Sequence, residues 1–406
     1  MRTSPVTGLL LASSLFFGPL VTAGCGGGDT SASSGGGGSG TTTTTDSGGG
    51  GAGGMTSTGG TGGSEFVMQP HPPFPTIQGM KSAVIAHPKL VTITFQGDTN
   101  ESKVQAFDDL LVTSDWVTTV GADYGVGAGT HLAKVVLPFE CPTPTTEPDI
   151  LQLIDEQITA GAIPKPDDNT IYMIQLPSKV VFDDGQGYAM CTDYLGYHWQ
   201  GDLPTNGTMT YAFIGECDIG FDEVTATLAH EYIETASDPG FSGGFFLAVP
   251  KTHAWISQQG MENADMCDSA DYVQEGGFTF QRVWSNTAAA AAITSPCAPI
   301  DPNEVFYDVY ADPQTPPKVA AGQSATFTLT GWSTAPMADW ALDYDAQYFS
   351  EFEPKVEMSA KTINNGTTVT VTLTVPPGTP KGRQGTAMIY SGDGYGRFWP
   401  VTVFSN

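Results

Sequence analysis

Three observations predict a mixed α+β domain followed by a C-terminal β-sandwich. Apolar, β-branched runs alternate with segments of helical spacing as far as about residue 300. Beyond that point, about a hundred residues read as short Thr- and Val-rich strands separated by turn residues. Ahead of both lies a glycine-rich stretch that has nothing with which to build a core.

Order is expected to begin near Glu65. "AVIAHPKLVTITFQGD" reads as a buried strand, with Leu90, Val91, Ile93 and Phe95 in one run. "ESKVQAFDDLLVTSDWVTTVGADYGVG" follows with helical spacing and ends in glycines. "TEPDILQLIDEQITAGAIP" predicts a helix with Thr146 as N-cap, Pro148 in its first turn, and Gly161 and Pro164 as its stop. "NTIYMIQLP" and "TMTYAFIGEC" are two further apolar strands, and a helix carrying His230 comes next. After the prolines at 299 and 302, "AAGQSATFTLTGWST", "KTINNGTTVTVTLTVPPGTP" and "GTAMIYSGDGYGRFWPVTVF" alternate as strands do. That pattern suggests an immunoglobulin-like sandwich acting as a spacer or binder, with no acid, base or metal cluster of its own. The expected organisation is therefore 1–24, 25–64, 65–300 and 301–406.

The first residues indicate export. Arg2 and the apolar "GLLLASSLFFGPLV" precede "VTAGC", which resembles a bacterial lipoprotein signal cut before Cys25. That resemblance implies a lipid anchor on Cys25 in a bacterial membrane. Thr22 stands where Leu is commonest, which keeps plain secretion as the alternative. Residues 25–64 then read as a flexible Gly/Ser/Thr tether. The expected location is the cell envelope, at the outer surface or in the periplasm, or the medium. The chain carries 43 Asp and Glu against 15 Lys and Arg, a formal net charge of −28, which disfavours nucleic acid as a partner. Of the cysteines after Cys25, Cys191 with Cys217 and Cys267 with Cys297 each bracket one motif region. These are the expected disulfides in an oxidising compartment, with Cys141 left over.

The chemistry concentrates in "LAHEYIETASDPG". At about 100° per residue, Glu223, Thr227, His230, Glu231 and Glu234 share one wedge of an otherwise apolar helix. His230 and Glu234 stand one turn apart and are able to share an ion, and Glu231 beside them is placed to take a proton from water. The competing reading is a polar stripe that merely faces solvent. Downstream, "MENADMCD" crowds Glu262, Asp265 and Asp268 together. Glu262 is the preferred third ligand and Asp265 its outer partner, with their roles exchangeable. The motif, one residue from the His-Glu-x-x-His of zinc peptidases, points to Zn²⁺, while a single imidazole among carboxylates makes a harder site and shifts weight towards Ca²⁺ or Mn²⁺.

"AHEYIETASDP", "HAW", "ENADMC", "FQRVWSN" and a late "PC" together resemble the phosphate-induced protein family, the Exordium-like secreted proteins, and their bacterial relatives. The family pattern falls on His230, Glu231, Glu234, Ser237, Asp238, Pro239, Glu262, Asp265 and Cys267. Upstream, "CTDYLGYHWQ" is similar to its Gly-x-His segment and singles out His198, either as an assisting catalytic group or as a packed loop histidine. The resemblance runs from about Met190 to Cys297 and implies a real site without naming a reaction. His87 and His253 have no acidic companions nearby and are expected to be structural. Two functions follow from these residues. One is a zincin-like, peptidase-type hydrolase in which Glu231 and His198 are catalytic, acting on a peptide or cell-surface substrate. The other is a non-catalytic surface binding protein with a structural ion or none.

Overall fold

The computed structural model describes residues 66–79, 84–184, 187–240, 244–268, 270–347, 349–392 and 396–406. The signal at 1–24, Cys25, the tether at 25–64 and the expected start at Glu65 lie outside them. No helix among the described residues is long and apolar enough to cross a membrane.

Lys89–Phe95 (β1) opens the first sheet, with Leu90, Val91, Ile93 and Phe95 wholly buried. Each such side chain stabilises the fold by about 1.5–3 kcal/mol relative to exposure. The segment expected as one helical stretch divides into Glu101–Leu111 (α1) and Asp115–Val120 (α2). The cause is Ser114, whose hydroxyl accepts from the Val117 N–H at 3.0 Å and starts a new helix. Gly121 closes α2 because a Cβ there would stand 2.2 Å from the Val126 carbonyl oxygen. Thr130–Leu137 (β2) follows, then Glu147–Thr159 (α3), which starts as expected with a Thr146–Asp149 capping box and a proline in its first turn. Thr170–Leu176 (β3), Gly196–Leu203 (β4), Gly207–Gly215 (β5) and Phe221–Ser237 (α4) complete the sheet and the helix that crosses it.

The sheet order is β2-β1-β3-β5-β4. The first four strands run parallel and β4 returns antiparallel to β5. Helices cover both faces, which is why the central strands read as continuous apolar runs rather than alternating ones. Leu90, Ile171, Met173 and Ile214 pack with α1, α2 and α4. Val91, Ile93, Tyr172 and Phe213 pack with Ile150, Ile154 and Ile158 of α3 on the other face. Disulfides join Cys191 to Cys217 and Cys267 to Cys297, the pairing that the bracketing suggested. Cys141 is free and buried. Two such bridges belong to a protein exported to an oxidising compartment.

Two sheets make up the C-terminal part. Tyr307–Asp312 (β6), Lys318–Val319 (β7), Ser324–Ser333 (β8), Trp340–Asp345 (β9), Lys355–Met358 (β10), Thr362–Ile363 (β11), Thr368–Thr374 (β12), Gln384–Ser391 (β13) and Phe398–Ser405 (β14) are its strands. They form a four-stranded sheet β6-β8-β12-β10 and a five-stranded sheet β7-β14-β13-β9-β11. Leu329 and Val371 of one sheet meet Ile389 and Val401 of the other in a shared core, so the element is a sandwich. The same core continues into the first domain through Phe74, Trp255, Trp284, Phe306, Trp332 and Trp399. Phe74 is the hub, with its ring centroid 5.8 Å from those of both Trp284 and Trp399. The two halves therefore form one compact unit across the expected boundary at 300.

Candidate metal centre

α4 lies against β5 and β4, and this packing buries the polar stripe instead of exposing it. Glu231 is 4 % exposed and Glu234 3 %. The solvent-facing reading of the stripe therefore does not describe these two carboxylates.

His198 is on strand β4, not in a loop, and its side chain points at α4. Its Nε2–H donates to the Asp238 carbonyl oxygen at 3.0 Å. Its Nδ1 then faces Glu231 Oε2 at 3.4 Å and Glu234 Oε2 at 3.9 Å. His230 is held in the same manner. Its Nδ1–H donates to Gln281 Oε1 at 3.1 Å, and the Gln281 amide is oriented by donating to the Ala264 carbonyl at 2.9 Å. The inner Nε2 of His230 faces Glu234 Oε2 at 3.0 Å and Asp265 Oδ1 at 3.6 Å. His230 thus has its outer nitrogen fixed by an oxygen and its inner nitrogen aimed at carboxylates, as metal-ligating histidines do. His198 instead meets carboxylates at both nitrogens, Glu231 and Glu234 at Nδ1 and Glu262 beside the Asp238 carbonyl at Nε2.

Glu234 is the pivot. Its Oε1 accepts from the backbone N–H groups of Ala264 and Asp265, each at 3.0 Å, which leaves Oε2 turned inward. Two groups of donors result, His230–Glu234–Asp265 and His198–Glu231–Glu234, and within each group the ligand atoms lie within 4.8 Å of one another. Asp265 closes the group around His230. Glu262, the preferred third ligand, instead faces His198, its Oε1 standing 3.5 Å from Nε2 with no hydrogen-bond partner.

Burial and mutual repulsion show in the titration of these groups. Burial alone would lower both imidazoles, but the neighbouring carboxylates outweigh it: His198 is raised by Glu231 and Glu234, and His230 is held well above its ordinary value by Glu234. Desolvation, then the Glu234 charge, pushes Glu262 well above the carboxylate range. The same two causes lift Asp265 to about 6, although solvent still reaches 35 % of its side chain. The Lys and Arg ion pairs of the described residues all lie elsewhere. An excess of buried negative charge with an orphaned carboxylate oxygen is what a divalent cation would neutralise. The donor set fits one.

Gln281 and the Asp238 carbonyl are the parts that motif reading missed. Gln281 lies in the quoted "FQRVWSN" block, but nothing in its spacing assigns it to His230. The remaining expectations were plainer. His253 accepts from the Trp255 N–H, and His87 stands 3.0 Å from the Ala128 carbonyl oxygen. Trp284 is a core residue whose Nε1–H donates to the Pro75 carbonyl. Asp238 ends α4.

No family model matches the chain, and no curated protein matches it. Solved structures show faint likeness. A lipoprotein from Bacteroides thetaiotaomicron is 15 % identical over 26 % of this chain and 82 % of its own, with a TM-score of 0.19. Domains 1–6 of the surface-layer protein SbsC are 12 % identical over 57 % of this chain and 39 % of theirs, with a TM-score of 0.20. A nucleoside hydrolase-related protein from Saccharophagus degradans is 9 % identical over 79 % and 99 %, with a TM-score of 0.26. Scores this low bear on neither fold nor function.

Proposed function

We propose that the chain is an envelope lipoprotein, anchored at Cys25, whose α+β domain is a zincin-like, metal-dependent hydrolase of the peptidase type. The immunoglobulin-like sandwich would be its spacer or binding module, and the Exordium-like resemblance belongs to the same reading. The observation that carries it is the fixed orientation of two imidazoles and Glu234 toward one buried, negatively charged cluster.

His230, Glu234 and Asp265 would hold the ion. Imidazole favours Zn²⁺, and the extra carboxylates admit Mn²⁺ or Ca²⁺. The bound ion supplies Lewis acidity toward a carbonyl and toward water. Glu231 takes the proton of the attacking water and delivers it to the leaving amine. His198, in its imidazolium form, would orient Glu231 by donating from Nδ1–H across the 3.4 Å contact. The test is metal content of the purified protein beside His230→Ala, with turnover of a peptide library by Glu231→Gln. About one transition metal per chain, lost in His230→Ala, with hydrolysis lost in Glu231→Gln, is the expected result. Unchanged turnover in Glu231→Gln removes the base, and absence of metal after zinc is supplied removes the whole reading.

One observation favours the non-catalytic alternative, in which the ion is structural. The cluster is closely packed, with His198 2 % and Glu262 3 % exposed. The cavity of about 390 Å³ lined by Pro73, Val249 and His253 contains none of its residues. Chelation separates the two readings: loss of a structural ion lowers the melting point markedly, whereas loss of a catalytic one abolishes turnover with a smaller shift.

A further inference from the structure

A second group of buried acids lies at the carboxyl ends of the parallel strands, and none of its residues belongs to the α4 cluster. Asp98 follows β1, and Glu216 directly follows β5. The chain runs from β1 to the edge strand β2 and then back past β1 to β3, so the strand order reverses between β1 and β3. Crevices outside strand ends at such a reversal are where open α/β sheets take their ligands.

The local bonding leaves a specific gap. Asp98 Oδ1 accepts from the Asn100 N–H at 2.7 Å, ahead of α1. The Glu216 carboxylate is met by the Asn100 side chain and the Ser178 backbone N–H, and it comes within hydrogen-bonding reach of the Asp98 carboxylate. Yet Asp98 Oδ2 and Glu216 Oε1 have no hydrogen-bond partner, in residues only 9 % and 6 % exposed. Two acceptors face one another with no donor between them, and no Lys or Arg among the described residues pairs with either. Something positive belongs there, either a shared proton or a cation.

Gln175 is an independent observation. It is 1 % exposed, and neither its Oε1 nor its Nε2 has a partner. It pairs with Ile214, two residues before Glu216, so strand alternation puts both side chains on the same face as diagonal neighbours, within reach of a long side chain. A buried glutamine with both ends unsatisfied is destabilising unless its carbonyl has a use. Desolvation, with the Asp98 charge next, lifts Glu216 to about 7, consistent with a pair short of positive charge.

We infer that the carboxyl ends of β1, β3 and β5 hold a calcium ion through the oxygens of Asp98, Glu216 and Gln175. All three are hard oxygen donors, two of them charged, which selects Ca²⁺ over the softer ions favoured by imidazole. The ion ties β1 to β5 just before the Cys191–Cys217 bridge and α4. This inference is independent of the hydrolase reading.

The test is thermal unfolding of the purified protein in EDTA and with calcium, beside Asp98→Asn, Glu216→Gln and His230→Ala. Calcium at a hundred times its Kd should raise the midpoint of wild type and of His230→Ala by about 4 °C, and of neither isosteric site variant. No rise in wild type overturns the proposal. A rise that survives Asp98→Asn and Glu216→Gln reduces the pair to two acids sharing a proton. A rise lost in His230→Ala alone sends the calcium to the α4 cluster. Equilibrium dialysis of wild type and His230→Ala does not depend on the site variants folding: one calcium in both supports the site, and none in either removes it.

Discussion

The backbone N–H of Asp265 donates to Glu234 Oε1 at 3.0 Å, while the Asp265 carboxylate stands 3.6 Å from His230. One short turn, Asp265–Cys267, thus both orients a carboxylate of α4 and adds its own. That turn is tied down by the Cys267–Cys297 disulfide, which spans 30 residues.

Removing the bridge should therefore reach the site as well as the fold. The double variant Cys267→Ser, Cys297→Ser loses loop-closure restraint worth about 3–4 kcal/mol in the chain-entropy description. Metal affinity should fall with it, because Asp265 and the two N–H donors to Glu234 share the released segment. Denaturant unfolding and metal titration of the variant check both parts. Lowered stability with unchanged metal affinity would detach the turn from the site.

Gln281 gives a narrower test. It sets the His230 tautomer through the 3.1 Å bond while its own amide nitrogen is fixed on Ala264. In Gln281→Met the side-chain volume is nearly kept and the oxygen is lost. Metal affinity should drop 10- to 100-fold, about the usual effect of removing such an outer partner. A matching loss of melting temperature without ion would mean that Gln281 only packs.

Much of this was legible in the chain and some was not, for identifiable reasons. The α3 start was readable because its cap is local, with Thr146, Pro148 and Asp149 lying within one turn. The i, i+4 placement of His230 and Glu234 is local too. His198 was visible only through a resemblance, since its 33-residue separation from Glu231 is closed by the β4–β5 pairing, which no periodicity reports. The break between α1 and α2 was hidden because Val112 and Thr113 continue the helical spacing, while Ser114 competes with it through one hydroxyl. Which of Glu262 and Asp265 stands beside His230 depends on the direction of a short 3₁₀ turn. That is a tertiary outcome.

Gly196 shows how closely β4 approaches α4. A Cβ there would stand 2.8 Å from Glu231 Oε1 and 2.9 Å from Thr227 Cγ2. On the proposed reading of Glu231 as the base, Gly196→Ala should displace its carboxylate and lower kcat at least about tenfold, since small displacements of reacting groups are costly. Metal binding at the proposed His230–Glu234–Asp265 site should be unchanged. Gly201→Ala, on the same strand with its nearest contact at 3.3 Å to Tyr211 Oη, is the control and should remain near wild type. Equal turnover in both variants would argue against Glu231 as the base.

Asp308 carries the pH prediction. It is 1 % exposed on β6, where its Oδ1 accepts from the Val309 N–H at 2.7 Å and from Ser391 Oγ at 2.9 Å. Burial lifts it to about 7; the two hydrogen bonds and the Arg397 charge act the other way and only limit the rise. A carboxyl raised on folding binds its proton more tightly in the native state. Its stabilising contribution is therefore complete below the unfolded value near 4, declines as pH rises, and is gone above about 7. Asp308→Asn keeps an oxygen for Val309 and Ser391 and never ionises. The variant should melt close to wild type at pH 4.5 and several degrees above it at pH 8, with the gap opening between those values. A gap that is constant across pH, or that widens toward acid, would show that Asp308 is ionised within the sandwich.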